Sequence, residues 1–218
     1  MKIEGVIDLF PEKEEKGVAK ISNYEFKNEE NPLFNARAVR DGGWMFYLED
    51  GKYVRLHVNG ELMMADTRME RESNRDFIYK ANGRILIAGL GLGVILKNIL
   101  DKEEVKEVIV IEKYQDVIDL VAPKFNNSKL KIICADIFEW EPDKGEKFDI
   151  IYFDIWPEIC ADNYEEIKKL HAKFRKYKTK ETGWMDSWMR TFLLKRVRKD
   201  KREEKERERW NSYFSKQH

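Results

Sequence analysis

Arg84-Ile85-Leu86-Ile87-Ala88-Gly89-Leu90-Gly91-Leu92-Gly93-Val94-Ile95-Leu96-Lys97-Asn98-Ile99-Leu100 is the stretch on which the fold turns. After Arg84, Ile85–Ala88 is a short apolar run, the signature of a strand buried on both faces. Three glycines follow at alternate positions, and an apolar helical pattern starts immediately after the third. Glycine there lets the backbone turn sharply and come close to a ligand, while the helix start offers free N–H groups. A second run, Glu107–Glu112 (EVIVIE), ends in an acid about 20 residues on, where a ribose-binding carboxylate belongs in a dinucleotide-type crevice. A solvated acid at a strand end is the plainer alternative, and the glycine loop upstream argues against it.

Working outward, strands and helices alternate. QDVIDLVA (115–122) reads as a helix, KIICAD (131–136) as a third strand and FDIIYFD (148–154) as a fourth. NYEEIKKLHAKFRKY (163–177) reads as another helix, and Trp184–Trp188 as a short terminal strand. Strand–helix alternation predicts right-handed crossovers and a mostly parallel, Rossmann-like sheet of an α/β protein. Upstream, WMFYLE, KYVRLHV and ELMMA are separated by Asp50-Gly51 and Asn59-Gly60, predicting a three-stranded antiparallel meander over 44–65. Trp44, Phe46 and Leu48 would share one core-facing side of its first strand. Thr67 and Glu70 have capping-box spacing and open a helix to about Lys80. The first forty residues are read as irregular. The division expected is 1–80 for the β-meander and helix, 81–190 for the Rossmann-like domain, and 191–218 for a charged helix or tail.

Composition narrows the function classes. With 42% hydrophobic and 12% aromatic residues, the 218-residue chain can build a real core, which excludes global disorder. No apolar run is long enough to cross a bilayer, and the N-terminus lacks a signal-peptide core; the expectation is a soluble cytoplasmic protein without membrane contact. Cys134 and Cys160 make neither a disulfide framework nor a metal cluster, and His57, His171 and His218 lack ligand spacing, so no metal is expected. Cys134 is expected to be buried. Residues 164–218 hold 18 Lys/Arg against 9 Asp/Glu, a basic tail on an acidic body. That hints at an anionic partner, but KDKREEKERERW also reads as a solvated helix of alternating charges, the preferred reading. Nucleic acid stays open as substrate or partner, below a small molecule, because aromatics interleave with basic residues only in KFRKY.

Two further strand tips carry acids. Asp136 ends the third strand, where it can accept an adenine amino group with Ile137 against the ring, or cap the turn before FEW. Asp154 ends the fourth, placed beside the crevice to hold or deprotonate an amine, with Trp156 and Pro157 as an apolar wall or as plain loop packing. Asp149, at the other end of that strand, reads as structural. Asp66 and Glu70 can contribute to substrate binding from the hairpin–helix junction.

AGLGLG, IEKY, CADIF and FDIIYFD together resemble the class I S-adenosylmethionine-dependent methyltransferase superfamily, and the hairpin region and helix ahead of the glycine loop are similar to its spermidine synthase branch. The resemblance spans roughly residues 44–170. It implies S-adenosylmethionine as cofactor, with Gly89, Gly91 and Gly93 along its methionine and ribose part. Glu112 would take the ribose hydroxyls, and Asp136 with Ile137 the adenine. A full seven-stranded methyltransferase sheet needs more chain than remains, so the sheet is expected to be truncated. The branch often pairs through its N-terminal hairpins, which points to a homodimer. Aminopropyltransferases carry Asp-x-x-Asp-Pro at the fourth strand's tip; here Asp154-Ile155-Trp156-Pro157 keeps only the first acid. Without a second carboxylate a dication is poorly held. The Asp-x-aromatic-Pro pattern looks more like small-molecule N-methyltransferases. The expected function is therefore methyl transfer to a small or amine-bearing substrate, with Asp154 orienting or deprotonating the nucleophile. Aminopropyl transfer and a non-catalytic binding relative are the alternatives.

Overall fold

The computed structural model describes residues 2–160 and 162–215; the end of the charged tail, with His218, lies outside the described residues. Two sheets share one hydrophobic core. In the parallel sheet, β5 (Gly83–Ala88), β6 (Val105–Glu112), β7 (Leu130–Cys134), β8 (Ile150–Phe153) and β9 (Trp184–Ser187) run in the order β7-β6-β5-β8-β9. The short helices α4 (Val94–Ile99) and α5 (Gln115–Val121) and the longer α6 (Asp162–Phe174) make crossovers between its strands. Ile85–Ala88 and Val108–Ile111 are buried throughout, as a sheet covered on both faces requires. Each such side chain contributes about 1.5–3 kcal/mol, so the strand tips that carry the loops are firmly held. The chain reverses direction across the sheet between β5 and β8, which makes the space above their C-terminal ends the topological switch point where ligands bind.

The antiparallel sheet runs β1 (Glu14–Lys16), β2 (Ala19–Phe26), β3 (Gly51–Val58), β4 (Glu61–Ala65) in that order. Asn59 (φ +52°) and Gly60 (φ +83°) form the two-residue turn between β3 and β4, as Asn-Gly predicts. The first strand of the predicted meander is a different one. Residues 44–46 form a 3-10 turn after α1 (Pro32–Gly42), and β3 pairs with β2 from Ala19↔Val58 to Phe26↔Gly51. The reason is a tertiary contact: Asn35 of α1 accepts the Leu48 N–H at 2.8 Å and donates to the Leu48 carbonyl at 2.8 Å. Both polar backbone groups of Leu48 are thereby used up by a side chain instead of a ladder. Trp44 is 74% exposed, so the expected core stripe of Trp44, Phe46 and Leu48 keeps only Leu48 fully inside.

The helix expected from Thr67 to Lys80 is two, α2 (Arg68–Ser73) and α3 (Arg75–Lys80), with Thr67 capping Glu70 N–H. Asn74 separates them and spends its amide on the Glu70 carbonyl and carboxylate. Ile3, Val6, Phe10, Ile21 and Leu56 of the N-terminal region join the same cluster as Ile85–Ala88 and Val108–Ile111. Cys134 corrects its expectation: it is exposed, because β7 is an edge strand. Asp149 is structural, accepting the Arg84 N–H at 2.8 Å and the Thr179 hydroxyl at 3.2 Å. The C-terminal helix α7 (Arg190–Ser215) carries i,i+4 pairs Lys199–Glu203 and Arg202–Glu206, the solvated-helix pattern. Among the described residues, no helix is long and apolar enough to cross a membrane, and no group of three or more His, Cys, Asp or Glu side chains is placed to hold a metal.

Candidate functional site

A cavity of about 550 Å³ opens above the C-terminal ends of β5, β6 and β8, within the size range of small-ligand sites. Gly89, Gly91, Glu112, Asp136, Ile137, Asp154, Trp156, Pro157 and Glu70 all lie in its wall. Gly93 and Asp66 are not among the residues lining it.

The glycine turn is dictated by its neighbours. Gly89 has φ +98°, and a Cβ there would stand 1.9 Å from the Asp154 carbonyl oxygen. The loop after β5 and the loop after β8 therefore touch backbone to backbone. Gly89→Ala is expected to lower stability by about 2–4 kcal/mol, from the strained φ plus the clash, read as a fall in the urea midpoint. An unchanged midpoint would show that the two loops are free to part. At Gly91 (φ +51°) a Cβ would meet Met64 Sδ at 2.3 Å, and this same sulfur accepts the Leu92 N–H at 3.0 Å. Met64 thus props the loop from β4, a role no sequence signal announced. Gly93, in the left-handed conformation, starts α4 and packs on Phe125, away from the cavity.

Glu112, 8% exposed at the tip of β6, accepts the Leu90 N–H on one carboxylate oxygen and the Tyr114 N–H on the other, each at 2.9 Å. Burial pushes its carboxyl up, against the pull of these backbone N–H groups. A carboxylate has about four acceptor positions; two are used by the loops, which leaves each oxygen able to take one more donor. Asp136 accepts the Phe138 N–H at 2.9 Å and pairs with Lys113 at 3.0 Å. Burial raises its pKa, but those two partners outweigh it and hold the carboxyl below its usual range. It caps a single turn, Glu139 and Trp140 N–H returning to its carbonyl, and also faces the cavity beside buried Ile137.

On the far side of the glycine turn lies a second group of polar side chains. Asp154 is partly accessible, at the cavity wall, and burial pushes its carboxyl up to about 7 even though the Asn74 amide opposes the shift. Glu70, 6% exposed, is driven well above its ordinary value by burial and then by the Asp154 and Asp66 charges. Asn74 donates to Glu70 Oε1 at 3.1 Å and accepts the Tyr152 hydroxyl at 2.8 Å. Asn74 and Tyr152 are the members that sequence reasoning missed, and an asparagine inside a helical pattern gave no signal. Trp156, 9% exposed, donates its indole N–H to Glu166 at 2.6 Å, and Pro157 is exposed at the rim. Asp66 is 2% exposed and engaged elsewhere, accepting the Val6 N–H at 2.6 Å and the Arg71 guanidinium at 2.9 Å. Asp66→Asn should cost about 1–2 kcal/mol of stability, since Arg71 is still partly solvated, and should leave ligand affinity unchanged. Loss of affinity without loss of stability would make Asp66 a ligand-facing group instead.

The remaining wall comes from the region ahead of the glycine loop, in part from the first forty residues that the sequence left unassigned. Tyr24 of β2, Phe34 of α1 and Phe46 and Tyr47 of the following turn close the cavity opposite the parallel sheet, with Leu62 and Met63 of β4.

Among the described residues, the five parallel strands with a glycine turn after β5 and acids at or just past the tips of β6, β7 and β8 form a Rossmann-like α/β fold, short of seven strands as expected. No protein-family model matches the chain. It is similar to a curated polyamine aminopropyltransferase of Sulfurisphaera tokodaii, 24% identical over 140 residues, covering 51% of this chain and 47% of the relative. The chain thus spans about half the length of that relative. Similar solved structures include the spermidine synthase of Thermotoga maritima (16% identity, 80% of this chain and 54% of that one, TM-score 0.48). Another is an S-adenosylmethionine-dependent methyltransferase of Clostridium acetobutylicum (20%, 53% and 49%, TM-score 0.40). A third is the CcbJ methyltransferase of Streptomyces caelestis (14%, 53% and 47%, TM-score 0.43). These superpositions are loose, and the architecture of this chain rests on its own strand order.

Proposed function

We propose that the chain is an S-adenosylmethionine-dependent methyltransferase acting on a small, amine-bearing molecule. The observation that carries the reading is Glu112: a buried carboxylate at the tip of β6, fixed by one backbone N–H on each oxygen, beside a glycine turn and a cavity of about 550 Å³. That arrangement suits a vicinal diol, whose two hydroxyls each find one oxygen. Backbone at Gly89 and Gly91 leaves room beside it, and Asp136 with Ile137 offers an acceptor and an apolar face for a purine. When bound, S-adenosylmethionine supplies a methyl group already activated by its sulfonium.

The chain's own residues then have two tasks. Trp156 and the aromatic wall orient the acceptor and exclude water, which supplies much of the rate in a transfer to an activated electrophile. Asp154 takes the proton lost from the acceptor nitrogen; a carboxyl at about 7 is near the optimum for a base at neutral pH. The Asn74 amide, itself bonded to Glu70, is its polar neighbour in the wall.

The relative from Sulfurisphaera favours one second reading, aminopropyl transfer. The departure at the tip of β8, where Trp156-Pro157 follows Ile155 with no second acid, speaks against it. The nucleoside product separates the two: S-adenosylhomocysteine is expected from S-adenosylmethionine and an amine panel, and methylthioadenosine from the decarboxylated cofactor would install the second reading.

A further inference from the structure

Five carboxylates line the cavity, Glu70, Glu112, Asp136, Asp154 and Glu166, and their partners decide what charge the site can receive. Glu112 is taken up by the glycine loop, Asp136 by Lys113 and Phe138 N–H, and Glu166 by the Trp156 indole. Only Glu70 and Asp154 remain for an acceptor; both lie in the cavity wall with Asn74, whose amide donates to Glu70. Burial raises both carboxyls, and a charge on one opposes ionisation of the other, so the site resists holding two negative charges at once. A second cation in the cavity would need the second carboxyl ionised against both its burial and its neighbour, and an ammonium buried without a partner costs several kcal/mol.

The rest of that side is apolar. Tyr24, Phe34, Phe46 and Tyr47 form it with Leu62 and Met63. Phe34 is 49% and Leu62 52% exposed, and Trp44, 74% exposed, lies 5.7 Å from the Tyr47 ring. Exposed apolar side chains gathered at the mouth of a cavity mark a surface that a ligand covers.

We infer that the acceptor is a monoamine carrying a flat apolar body, its single nitrogen at Asp154 and Glu70 and its ring against Phe34, Phe46 and Tyr47. This rests on the transferase reading above and narrows its substrate to arylalkylamines, excluding linear polyamines. The bound ammonium first gives a proton to the Asp154 carboxylate, and the neutral nitrogen then forms the new N–C bond to the methyl carbon. The carbon–sulfur bond breaks with its electron pair going to sulfur, giving the thioether. The methylated nitrogen keeps its remaining protons and leaves as an ammonium.

The test titrates tryptamine and putrescine into the full chain saturated with S-adenosylhomocysteine, for wild type and Phe34→Ala. Phe34 is half-exposed, so its truncation should leave the fold intact. Tryptamine is expected to bind at least about ten-fold more tightly than putrescine, and Phe34→Ala to weaken tryptamine about ten-fold with S-adenosylhomocysteine affinity unchanged; a lost phenyl contact of about 1.4 kcal/mol corresponds to that factor. Nucleotide binding combined with tighter putrescine would overturn the inference and leave the transferase reading standing. Failure of the nucleotide to bind would overturn that reading, and the amine titrations repeated without it still decide: a preference for tryptamine abolished by Phe34→Ala supports the aromatic subsite, and no preference sinks it.

Discussion

Glu112→Ala is expected to weaken S-adenosylhomocysteine binding about a thousand-fold. Two effects combine. The ribose would lose two hydrogen bonds to a charged acceptor, each of about 1.5–3 kcal/mol. The Leu90 and Tyr114 N–H groups would also lose the carboxylate that fixes them, so the loops on either side of the nucleotide relax. Glu112→Gln separates the contributions, because an amide keeps one acceptor oxygen and presents a donor where the other stood; a loss of roughly ten- to a hundred-fold is expected. Calorimetry on both variants, with thermal unfolding to confirm that each is folded, gives the answer. Glu112→Ala binding within about two-fold of wild type would remove the carboxylate from the nucleotide site.

Asp154→Asn should have opposite effects on rate and on stability. Removing the base is expected to cut the turnover number by about 10²–10⁴. Stability should rise. The folded-state pKa of Asp154 lies above its ordinary value, 3.8 going to about 7, so its contribution is fully present at acidic pH and is lost as pH climbs through 7. Glu70, shifted in the same direction, adds to that loss. Above pH 7 the wild type holds an ionised carboxylate in an enclosed site, and asparagine does not. The gain at pH 8 is at most about 4 kcal/mol, from about 1.4 kcal/mol per pKa unit, and less where Glu70 takes over the proton. Urea unfolding at pH 5 and pH 8 measures it: the wild type should lose stability between the two and the variant should lose less. A variant that is less stable than wild type at pH 8 would mean Asp154 is a structural anion, and an unchanged rate would deny it the proton.

Such a trade of stability for function marks where sequence reading works and where it stops. The parallel sheet was legible because its central strands carry short apolar runs, Ile85–Ala88, Val108–Ile111 and Ile150–Phe153, and the order of elements leaves few topologies. That Gly89, Glu112, Asp136 and Asp154 gather around one cavity was legible because strand tips are fixed by the strands themselves. The N-terminal half of the cavity was not. β2 reads Ala-Lys-Ile-Ser-Asn-Tyr-Glu-Phe, with polar residues between its apolar ones and no long apolar run. Trp44, Phe46 and Leu48 have a strand's two-residue spacing, yet Asn35, more than ten residues away, captures the Leu48 backbone and turns the chain into a wall. Side-chain capture of backbone groups depends on tertiary placement, which periodicity does not encode. The same holds for Asn74: its spacing from Glu70 is visible, but its bond to Tyr152, 78 positions away, is not.

The most direct test of the central claim is a crystal structure of the chain grown with S-adenosylhomocysteine. Both ribose hydroxyls are predicted within about 3.2 Å of the two Glu112 oxygens, with the purine on Ile137 and the sulfur facing Asp154 across the glycine turn. A nucleotide bound elsewhere, or crystals without it at saturating concentration, would contradict the account.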